Sequence, residues 1–297
     1  MNTNTQLYIQ PLSELVGQQV INSDNISILE MKREEIITLF KSYGLLLFRG
    51  FETNVDIFKE FTNSLSTNFM DYAGGVFTRR VINEDATILS VNDFQSEIKL
   101  HGEMYYQKNI PLMLWFFCAH PAAQDGETIV CDGRQFFNEL SSSTKELFSN
   151  KKLKYSGYLN KEAWQKRYKT DDLTVVEKVC ISNNTKLKIN EDESIHLEYI
   201  CPAIHPSRCG RYMVFINSLL PAKHIAPNSV LFDDNSEIPD ALVSELNEIA
   251  DKITTKISWK KGDILMVDNT RIMHGRRAFS DNQRDIYLRL CSPAFPF

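Results

Sequence analysis

The stretch "KGDILMVDNTRIMHGRRAF" (residues 261–279) indicates the fold class, because an apolar run leads through a polar turn into a histidine. "RDIYLR" (284–289) follows it as the next apolar segment. Short apolar runs bounded by turn-forming residues are typical of buried strands. The two runs therefore predict successive strands that bring His274 close to the arginines around it.

Similar β-type runs recur outward from this stretch, with helical patterns between them. The strand candidates are "ATILSV", "LMLWFFCAHPA", "ETIVCD" and "YMVFIN", and three of the helix candidates are "VDIFKEFTNSLSTNF", "GRQFFNELSSSTKELFSNK" and "DALVSELNEIADKITTK". A further helix in "ILEMKREEIITLFKSYG" is expected to end near Gly44, before a buried strand at 45–48. Its apolar side holds Leu29, Ile36, Ile37 and Phe40.

The pattern predicts a mainly β protein with helices outside the strands. No Pro/Gly/Ser-rich linker, repeat or low-complexity segment divides the 297 residues, so one domain is expected over 1–297. It comprises a helix-and-strand entry (1–90) and a β core (about 90–297) that contains a helical insertion (about 133–255).

Composition narrows the class of protein. With 43% hydrophobic and 24% charged residues the chain is globular, and a net charge of -5 without long basic runs argues against nucleic acid as a partner. No segment approaches the ~18 apolar residues that cross a membrane, and the beginning of the chain lacks a signal-peptide pattern, so a cytoplasmic protein is expected. The six cysteines form no CxxC pair, which predicts buried thiols instead of a zinc ribbon or redox pair.

"KLHGEMYYQ" (99–107) places a histidine and a glutamate two residues apart. On a strand, His101 and Glu103 would project from one face, while Gly102 turns away and leaves space behind. Two histidines and one carboxylate suit non-haem Fe(II) and leave three open positions. His-x-Glu is also common by chance, and a polar patch on a strand is the alternative. His274 is the histidine whose surroundings best fit a third ligand.

The sequence resembles the Fe(II)/2-oxoglutarate-dependent dioxygenases of the taurine dioxygenase and clavaminate synthase type. The likeness runs from about Leu45 to Leu290 and is carried, in the family's order, by the following segments: "HGEMYY", "FFCAHPAAQDGETIVCDGRQFFNEL", "WQKRYKTDDLTVVEKVC", "PAIHPSRCGRYMVFIN" and "GDILMVDNTRIMHGRRAF". It implies a double-stranded β-helix, or jelly roll, with helices packed outside. It also implies the iron ligands His101, Glu103 and His274.

The resemblance further implies residues that bind the co-substrate and the substrate. Thr128 matches the family's 2-oxoglutarate threonine, and Arg284 is favoured as the arginine that holds the far carboxylate bidentately. Arg289 is its rival or a substrate contact, although positions five apart face opposite sides of a strand unless a bulge intervenes. Asn92, Tyr105 and Tyr106 are candidate substrate-pocket residues, with core or loop positions as the alternative.

Three nearby polar residues receive structural interpretations. Asn269 is interpreted as a turn residue, because asparagine tolerates unusual backbone angles and bonds its own main chain. Of Arg276 and Arg277, one is expected to support the turn and the other to be solvated.

The function implied is an oxygenase that uses Fe(II), 2-oxoglutarate and O2. Oxidation of an unactivated C–H bond, chiefly hydroxylation, would accompany conversion of 2-oxoglutarate and O2 to succinate and CO2. Glu103 favours oxygenation over chlorination, because related halogenases have a small residue at that position. The substrate expected is a small amino-acid-like or natural-product intermediate, free or carrier-bound.

Other reactions and other functions remain open. Desaturation or ring closure would begin in the same way as hydroxylation. A zinc hydrolase and a non-catalytic jelly-roll binding protein are the alternatives to an oxygenase.

Overall fold

A computed structural model describes residues 8–77 and 79–296, so residues 1–7, 78 and 297 of the predicted domain lie outside the described residues. The strands are β1 (Tyr8–Pro11), β2 (Gln18–Ile21), β3 (Leu45–Arg49), β4 (Ser66–Met70), β5 (Val81–Ile82), β6 (Asp85–Ser90), β7 (Ile98–His101), β8 (Met113–His120), β9 (Thr128–Asp132), β10 (Leu153–Leu159), β11 (Lys186–Ile189), β12 (Ile195–Cys201), β13 (Ile204–Pro206), β14 (Met213–Phe215), β15 (Val230–Phe232), β16 (Thr255–Ile257), β17 (Ile264–Asp268), β18 (Ile272–Arg276) and β19 (Asp285–Pro293). The helices are α1 (Arg33–Tyr43), α2 (Val55–Leu65), α3 (Gly133–Glu139), α4 (Ser142–Asn150), α5 (Lys161–Tyr168), α6 (Leu173–Ser182), α7 (Leu219–Ile225) and α8 (Asp240–Ile253). Two short 3-10 turns lie at Ile28–Glu30 and Pro227–Ser229.

Helix α1 ends where the sequence predicts. Gly44 caps it in the left-handed region, with φ 71°, and its N–H donates to the carbonyl of Phe40. The buried strand β3 starts at the next residue. One detail differs: Leu29 belongs to the preceding 3-10 turn and is 39% exposed, because the helix begins only at Arg33.

Two sheets form the centre of the molecule. The larger has the order β1-β2-β3-β17-β8-β19-β6-β5, with β4 beside β19, and the smaller has the order β16-β9-β18-β7. Neighbouring strands are antiparallel except β2 and β3. The predicted mainly β fold with flanking helices is therefore confirmed.

Alternation along the strands creates a core on each side of the larger sheet. In β17, Ile264 and Met266 join the core formed with α1 and α2, whereas Leu265 and Val267 face the smaller sheet. Val130 and Ile272 contribute to the inner core from the smaller sheet. Because side chains alternate with a period of two, every second residue of β18 faces the space between the sheets.

The predicted helical insertion also contains strands. Between β9 and β16 the chain forms α3 to α8, a four-stranded sheet of order β11-β12-β10-β15 and the hairpin β13-β14. Phe136 and Phe215 stack at 4.5 Å between ring centroids, in the core that the insertion shares with the smaller sheet. The insertion therefore covers the outer face of that sheet.

All six cysteines are free, and five of them are buried as predicted. Cys209 is exposed, contrary to that expectation, because it lies in the turn between β13 and β14. Across residues 8–77 and 79–296, no helix is long and apolar enough to span a membrane.

Candidate metal centre

His274 lies on the inward face of β18, between the two sheets. Ile272 and His274 are two residues apart and share this face, and Ile272 belongs to the inner core. His274 is paired in register with His101 of β7 on one side and with Val130 of β9 on the other. Strand pairing therefore brings together two histidines that are far apart in the sequence.

Glu103 completes a cluster of three potential metal ligands with His101 and His274. One ligand atom from each residue lies within 4.8 Å of the others. The Oε2 atom of Glu103 is 3.4 Å from Nε2 of His274 and 3.8 Å from Nε2 of His101. Two imidazoles and one carboxylate on one side of an ion match the donor set of non-haem Fe(II) sites.

The surroundings of the three side chains suit metal binding. Nδ1 of His101 is 2.9 Å from the carbonyl oxygen of Lys99 and donates to it, which leaves Nε2 directed toward Glu103. Burial, followed by the charge of His101, lowers the pKa of His274 to about 4. Burial raises the pKa of Glu103, but hydrogen bonds with His101 and His274 and the charge of Arg79 hold it well below its usual range.

The two oxygens of Glu103 have different partners. Oε2 faces the histidines, whereas Oε1 accepts a hydrogen bond from the hydroxyl of Tyr72 at 3.2 Å. The Arg79 guanidinium lies 3.6 Å from Oε2 and stacks on the Tyr72 ring, 4.3 Å from its centroid. Tyr72 and Arg79 were not predicted, because they belong to an irregular segment without a recognisable pattern.

Glu103 lies beyond the end of β7, in a turn, and not on the strand itself. Gly102 does not leave open space as predicted, since a Cβ at this position would lie 2.4 Å from the Tyr105 ring and 2.7 Å from Ile216. Asn269 fixes the turn: it accepts from the N–H of Glu103 at 2.8 Å and donates to its carbonyl at 3.0 Å. Asn269 thus clamps the backbone of a candidate ligand, a role beyond that of a turn residue.

A group of cationic and polar side chains lies beside the histidines. Arg276 pairs in register with Thr128, whose hydroxyl accepts from the Trp259 indole at 3.0 Å. Arg284 donates to the carbonyl of Gly126 at 3.0 Å and to Oδ1 of Asn92 at 2.6 Å. This group contains the predicted Thr128 and Arg284, together with Arg276.

Both arginines are buried without a paired carboxylate. Burial lowers the pKa of Arg284 to about 10. Burial, and then the charges of Arg284 and Arg79, lower the pKa of Arg276 to about 9. Nε of Arg276 is buried without a hydrogen-bond partner, and within the described ranges neither guanidinium lies within 4.0 Å of a carboxylate. Such a site favours an anionic ligand, since buried charges are normally paired.

Arg276 and Arg277 have different roles, of which the first matches the sequence-based expectation more closely than the second. Arg276 donates to the carbonyls of Val91, Phe94 and Ser96, so it supports the adjoining loop, but it does so from a buried position beside the site. Arg277 is half-buried and forms a 2.9 Å ion pair with Glu97. It is therefore paired and not simply solvated.

Arg289 does not join the group formed by Thr128, Arg276 and Arg284. It lies on the outer face of β19, where its guanidinium stacks 3.6 Å from the Phe69 ring centroid and donates to Thr62 and Asn63. The neighbouring Leu288 and Leu290 face the inner core. Strand alternation therefore directs Arg289 to α2, and neither co-substrate nor substrate contact is supported for it.

The three predicted pocket residues have different positions. Asn92 holds Arg284 and the N–H of Ile286 through Oδ1, so its amide acts on the arginine. Tyr105 packs behind the cluster in the insertion core, with its hydroxyl donating to the carbonyl of Asn269 at 3.2 Å. Tyr106 lines a cavity that begins at His101 and Glu103.

This cavity has a volume of about 250 Å3 and extends from the cluster between the insertion sheet and helices α5, α6 and α7. Its wall is mostly apolar and aromatic. Tyr72, Tyr106, Tyr155, Tyr168 and Tyr199 contribute to it. A small organic molecule could therefore approach the candidate ligands from the side of the insertion.

The chain is similar to known proteins along most of its length. The chain is 22% identical over 275 residues to the dapdiamide synthesis protein DdaC of Enterobacter agglomerans, covering 85% of this chain and 83% of that protein. It is 23% identical over 285 residues to 3-((Z)-2-isocyanoethenyl)-1H-indole synthase of Fischerella ambigua, covering 94% and 84%. The structure of PvcB from Pseudomonas aeruginosa superposes with a TM-score of 0.65 at 14% identity, covering 96% and 91%.

A family match covers nearly the whole chain, residues 9–291. It confirms the resemblance seen in the sequence and, with it, an oxidoreductase that uses Fe(II), 2-oxoglutarate and O2. The chain belongs to the taurine catabolism dioxygenase TauD, TfdA family.

Proposed function

We propose that the protein hydroxylates an unactivated C–H bond of a small amino-acid-like or natural-product intermediate. The buried cluster of His101, Glu103 and His274 at the inner end of an apolar cavity carries this proposal. Two relatives support the setting: DdaC is named for dapdiamide synthesis, and PvcB is described as an Fe, alpha-ketoglutarate dependent oxygenase from an isonitrile synthetic pathway. Desaturation is the second candidate, because the indole synthase is named for a product with an ethenyl group.

The three clustered side chains fit Fe(II). His101 and His274 would bind it through Nε2 and Glu103 through Oε2, since these atoms converge. Bound iron supplies activation of O2 with 2-oxoglutarate as the electron donor, and succinate and CO2 are the co-products. The protein itself contributes ligand orientation, through the Lys99 carbonyl, Tyr72 and Asn269, and a cavity that holds the substrate beside the ligands.

The buried arginines fit 2-oxoglutarate. We propose that Arg284, fixed by Asn92 and Gly126, binds the far carboxylate of this dianion. The Thr128 hydroxyl would add a hydrogen bond, and Arg276 would contribute positive charge next to it. Among the described residues neither buried guanidinium lies within 4.0 Å of a carboxylate, which supports this assignment.

The proposal also includes the type of β fold, the number of domains, the cellular location and the form in which the substrate is presented. We interpret the two facing sheets as the predicted double-stranded β-helix, with the insertion as part of a single domain. A cytoplasmic location, and a substrate presented either free or on a carrier, remain predictions from the sequence.

The test is an anaerobic titration of the purified metal-free protein with Fe(II) and then 2-oxoglutarate. Chelation of Fe(II) by the keto and adjacent carboxylate oxygens should produce a visible charge-transfer band. We expect the band in the wild type and in His196→Ala, which removes an exposed histidine of β12. We expect its loss in His101→Ala and in His274→Ala.

Two outcomes would contradict the proposal. If well-folded wild-type protein gives no band, a binding protein or a zinc hydrolase becomes the better interpretation. If His274→Ala keeps the band and consumes 2-oxoglutarate at the wild-type rate, the assignment of the ligands is wrong.

A further inference from the structure

The charge distribution in the cavity is uneven. Glu103 lies at the end of the cavity that the candidate metal ligands form. Among the described residues that line the cavity, Arg167 is the one cationic side chain apart from the imidazole of His101. Most of the remaining wall is aliphatic or aromatic. A ligand that fills the cavity therefore meets apolar surface along its body and one fixed positive charge.

Arg167 is held in place without having its charge neutralised. It lies in the last turn of α5, where its Nε donates to the carbonyl of Gly74 at 2.9 Å, while Gly74 donates its N–H to the Arg167 carbonyl. The guanidinium lies 5.7 Å from the ring centroid of Tyr106 and 5.9 Å from that of Tyr168. Within residues 8–77 and 79–296, no carboxylate lies within 4.0 Å of it.

Because Arg167 bonds Gly74 through Nε and neither terminal nitrogen donates to another described residue, both terminal nitrogens can bind a ligand. A guanidinium keeps its positive charge at neutral pH and matches the two oxygens of a carboxylate. Lys166 and Lys169 line an adjoining cavity with Arg167, which makes this end of the binding region positive. Lys169 itself is paired with Asp71, whereas Lys166 is exposed.

Arg167 is separated from the candidate metal ligands by a short row of aromatic rings. Tyr106 lies against Arg167 and lines the cavity together with Tyr72, whose hydroxyl donates to Glu103. A bound molecule that extends along these rings would therefore have one end at the guanidinium and the other near Glu103. This arrangement orients an elongated ligand in one direction only.

We propose that the cavity binds an organic anion whose carboxylate or similar oxyanion pairs with Arg167 and whose apolar body lies along Tyr106 toward Glu103. The inference rests on the proposed function, because it assigns the substrate class of the same site. It does not need the metal, however, since Arg167 and the tyrosines belong to the protein alone. Binding to metal-free protein therefore tests it separately from catalysis.

The probes are 3-phenylpropionate and its neutral analogue 3-phenylpropionamide, titrated calorimetrically into metal-free protein. They share the aromatic body and differ in the charge at one end. A charge-assisted bidentate contact should make the acid bind about tenfold or more tightly than the amide. The difference should shrink as salt is raised, because exposed parts of the contact are screened.

Variants assign the preference to one side chain. Arg167→Met should abolish the preference for the acid and leave binding of the amide unchanged. Lys166→Met, a neighbouring exposed cation removed in the same way, should keep it. Arg167→Lys retains the charge and should keep part of the preference, so a folding defect in the methionine variant would not prevent the test.

The proposal fails if the wild type binds acid and amide equally, or binds neither. It also fails if Arg167→Met retains the preference, because the acid would then be bound by Arg284 or Arg276. If the wild type binds the acid through Arg167 but gives no charge-transfer band with Fe(II) and 2-oxoglutarate, the oxygenase assignment is wrong and the protein is an anion-binding protein.

Discussion

At the scale of single residues, the carboxylate of Glu103 connects the two histidines of the candidate metal centre with the side chains that surround it. Its Oε2 faces both histidines, and its Oε1 is held by Tyr72. A carboxylate fixed by one oxygen presents the other at a defined position. Hydrogen-bonding partners of metal ligands commonly contribute to metal affinity because they orient the ligand.

Replacing Tyr72 with phenylalanine should therefore weaken metal binding while preserving the ring that stacks against Arg79. We expect the Mn(II) dissociation constant, measured by EPR titration as a redox-inert substitute for Fe(II), to rise about tenfold. Tyr158→Phe, which removes an exposed hydroxyl on β10, should leave it unchanged. Equal affinities in both variants and the wild type would show that the hydroxyl does not orient Glu103.

Arg284 and Arg289 are the two arginines that the sequence offers for binding 2-oxoglutarate, and single substitutions distinguish them. Arg284→Ala should raise the KM for 2-oxoglutarate about tenfold or more, because a charge-assisted bidentate contact is lost. Arg289→Ala should leave this KM unchanged and lower the thermal midpoint, since Arg289 anchors α2. Steady-state kinetics with varied 2-oxoglutarate and a melting curve for each variant make the comparison. A large KM effect only at Arg289 would reverse the assignment.

At the scale of elements, two turns meet behind the metal ligands. The turn after β7 carries Glu103, and the turn between β17 and β18 carries Asn269, which bonds both backbone groups of Glu103. Gly102 lets the first turn approach Tyr105 and Ile216. The position of Glu103 therefore depends on backbone packing as well as on its own side chain.

Gly102→Ala should consequently be destabilising. Its added Cβ would lie 2.4 Å from the Tyr105 ring, closer than carbon atoms pack, and we expect a loss of about 1–3 kcal/mol in the free energy of unfolding. Gly157→Ala is the matched control, since nothing lies within 4 Å of a Cβ at that position of β10. Urea unfolding curves for the two variants check this. A Gly102→Ala protein as stable as the control would mean that the turn has room to move.

Much of the element order was predictable, because its signals are local. The apolar runs of β17 and β19 and the glycine after α1 are readable in the sequence, and so is the His-x-Glu pair with its distal histidine. The partners of Glu103 were not. Tyr72 precedes it by 31 residues and Asn269 follows it by 166, and only the folded backbone brings them together. For Tyr105 the sequence leaves a pocket and a core position open, because proximity to Glu103 along the chain does not reveal which way a turn directs each side chain.

At the scale of the whole molecule, the candidate site joins segments that are distant along the chain. His101 ends β7 and Glu103 follows it, His274 lies on β18, and Arg284 precedes β19. The insertion closes the cavity over them. A ligand that contacts these segments binds the folded chain and not the unfolded one, so its binding free energy adds to the free energy of unfolding.

Mn(II) together with 2-oxoglutarate should therefore stabilise the protein against unfolding. At a ligand concentration about 100-fold above the dissociation constant, linkage predicts a gain of about 2.7 kcal/mol, which urea unfolding curves measured anaerobically would detect. His274→Ala should lose this gain, because one of the converging nitrogens is removed, whereas His196→Ala should retain it. If His274→Ala gained as much as the wild type, the metal would be binding elsewhere, since mass action stabilises only through the site that is occupied in the folded state.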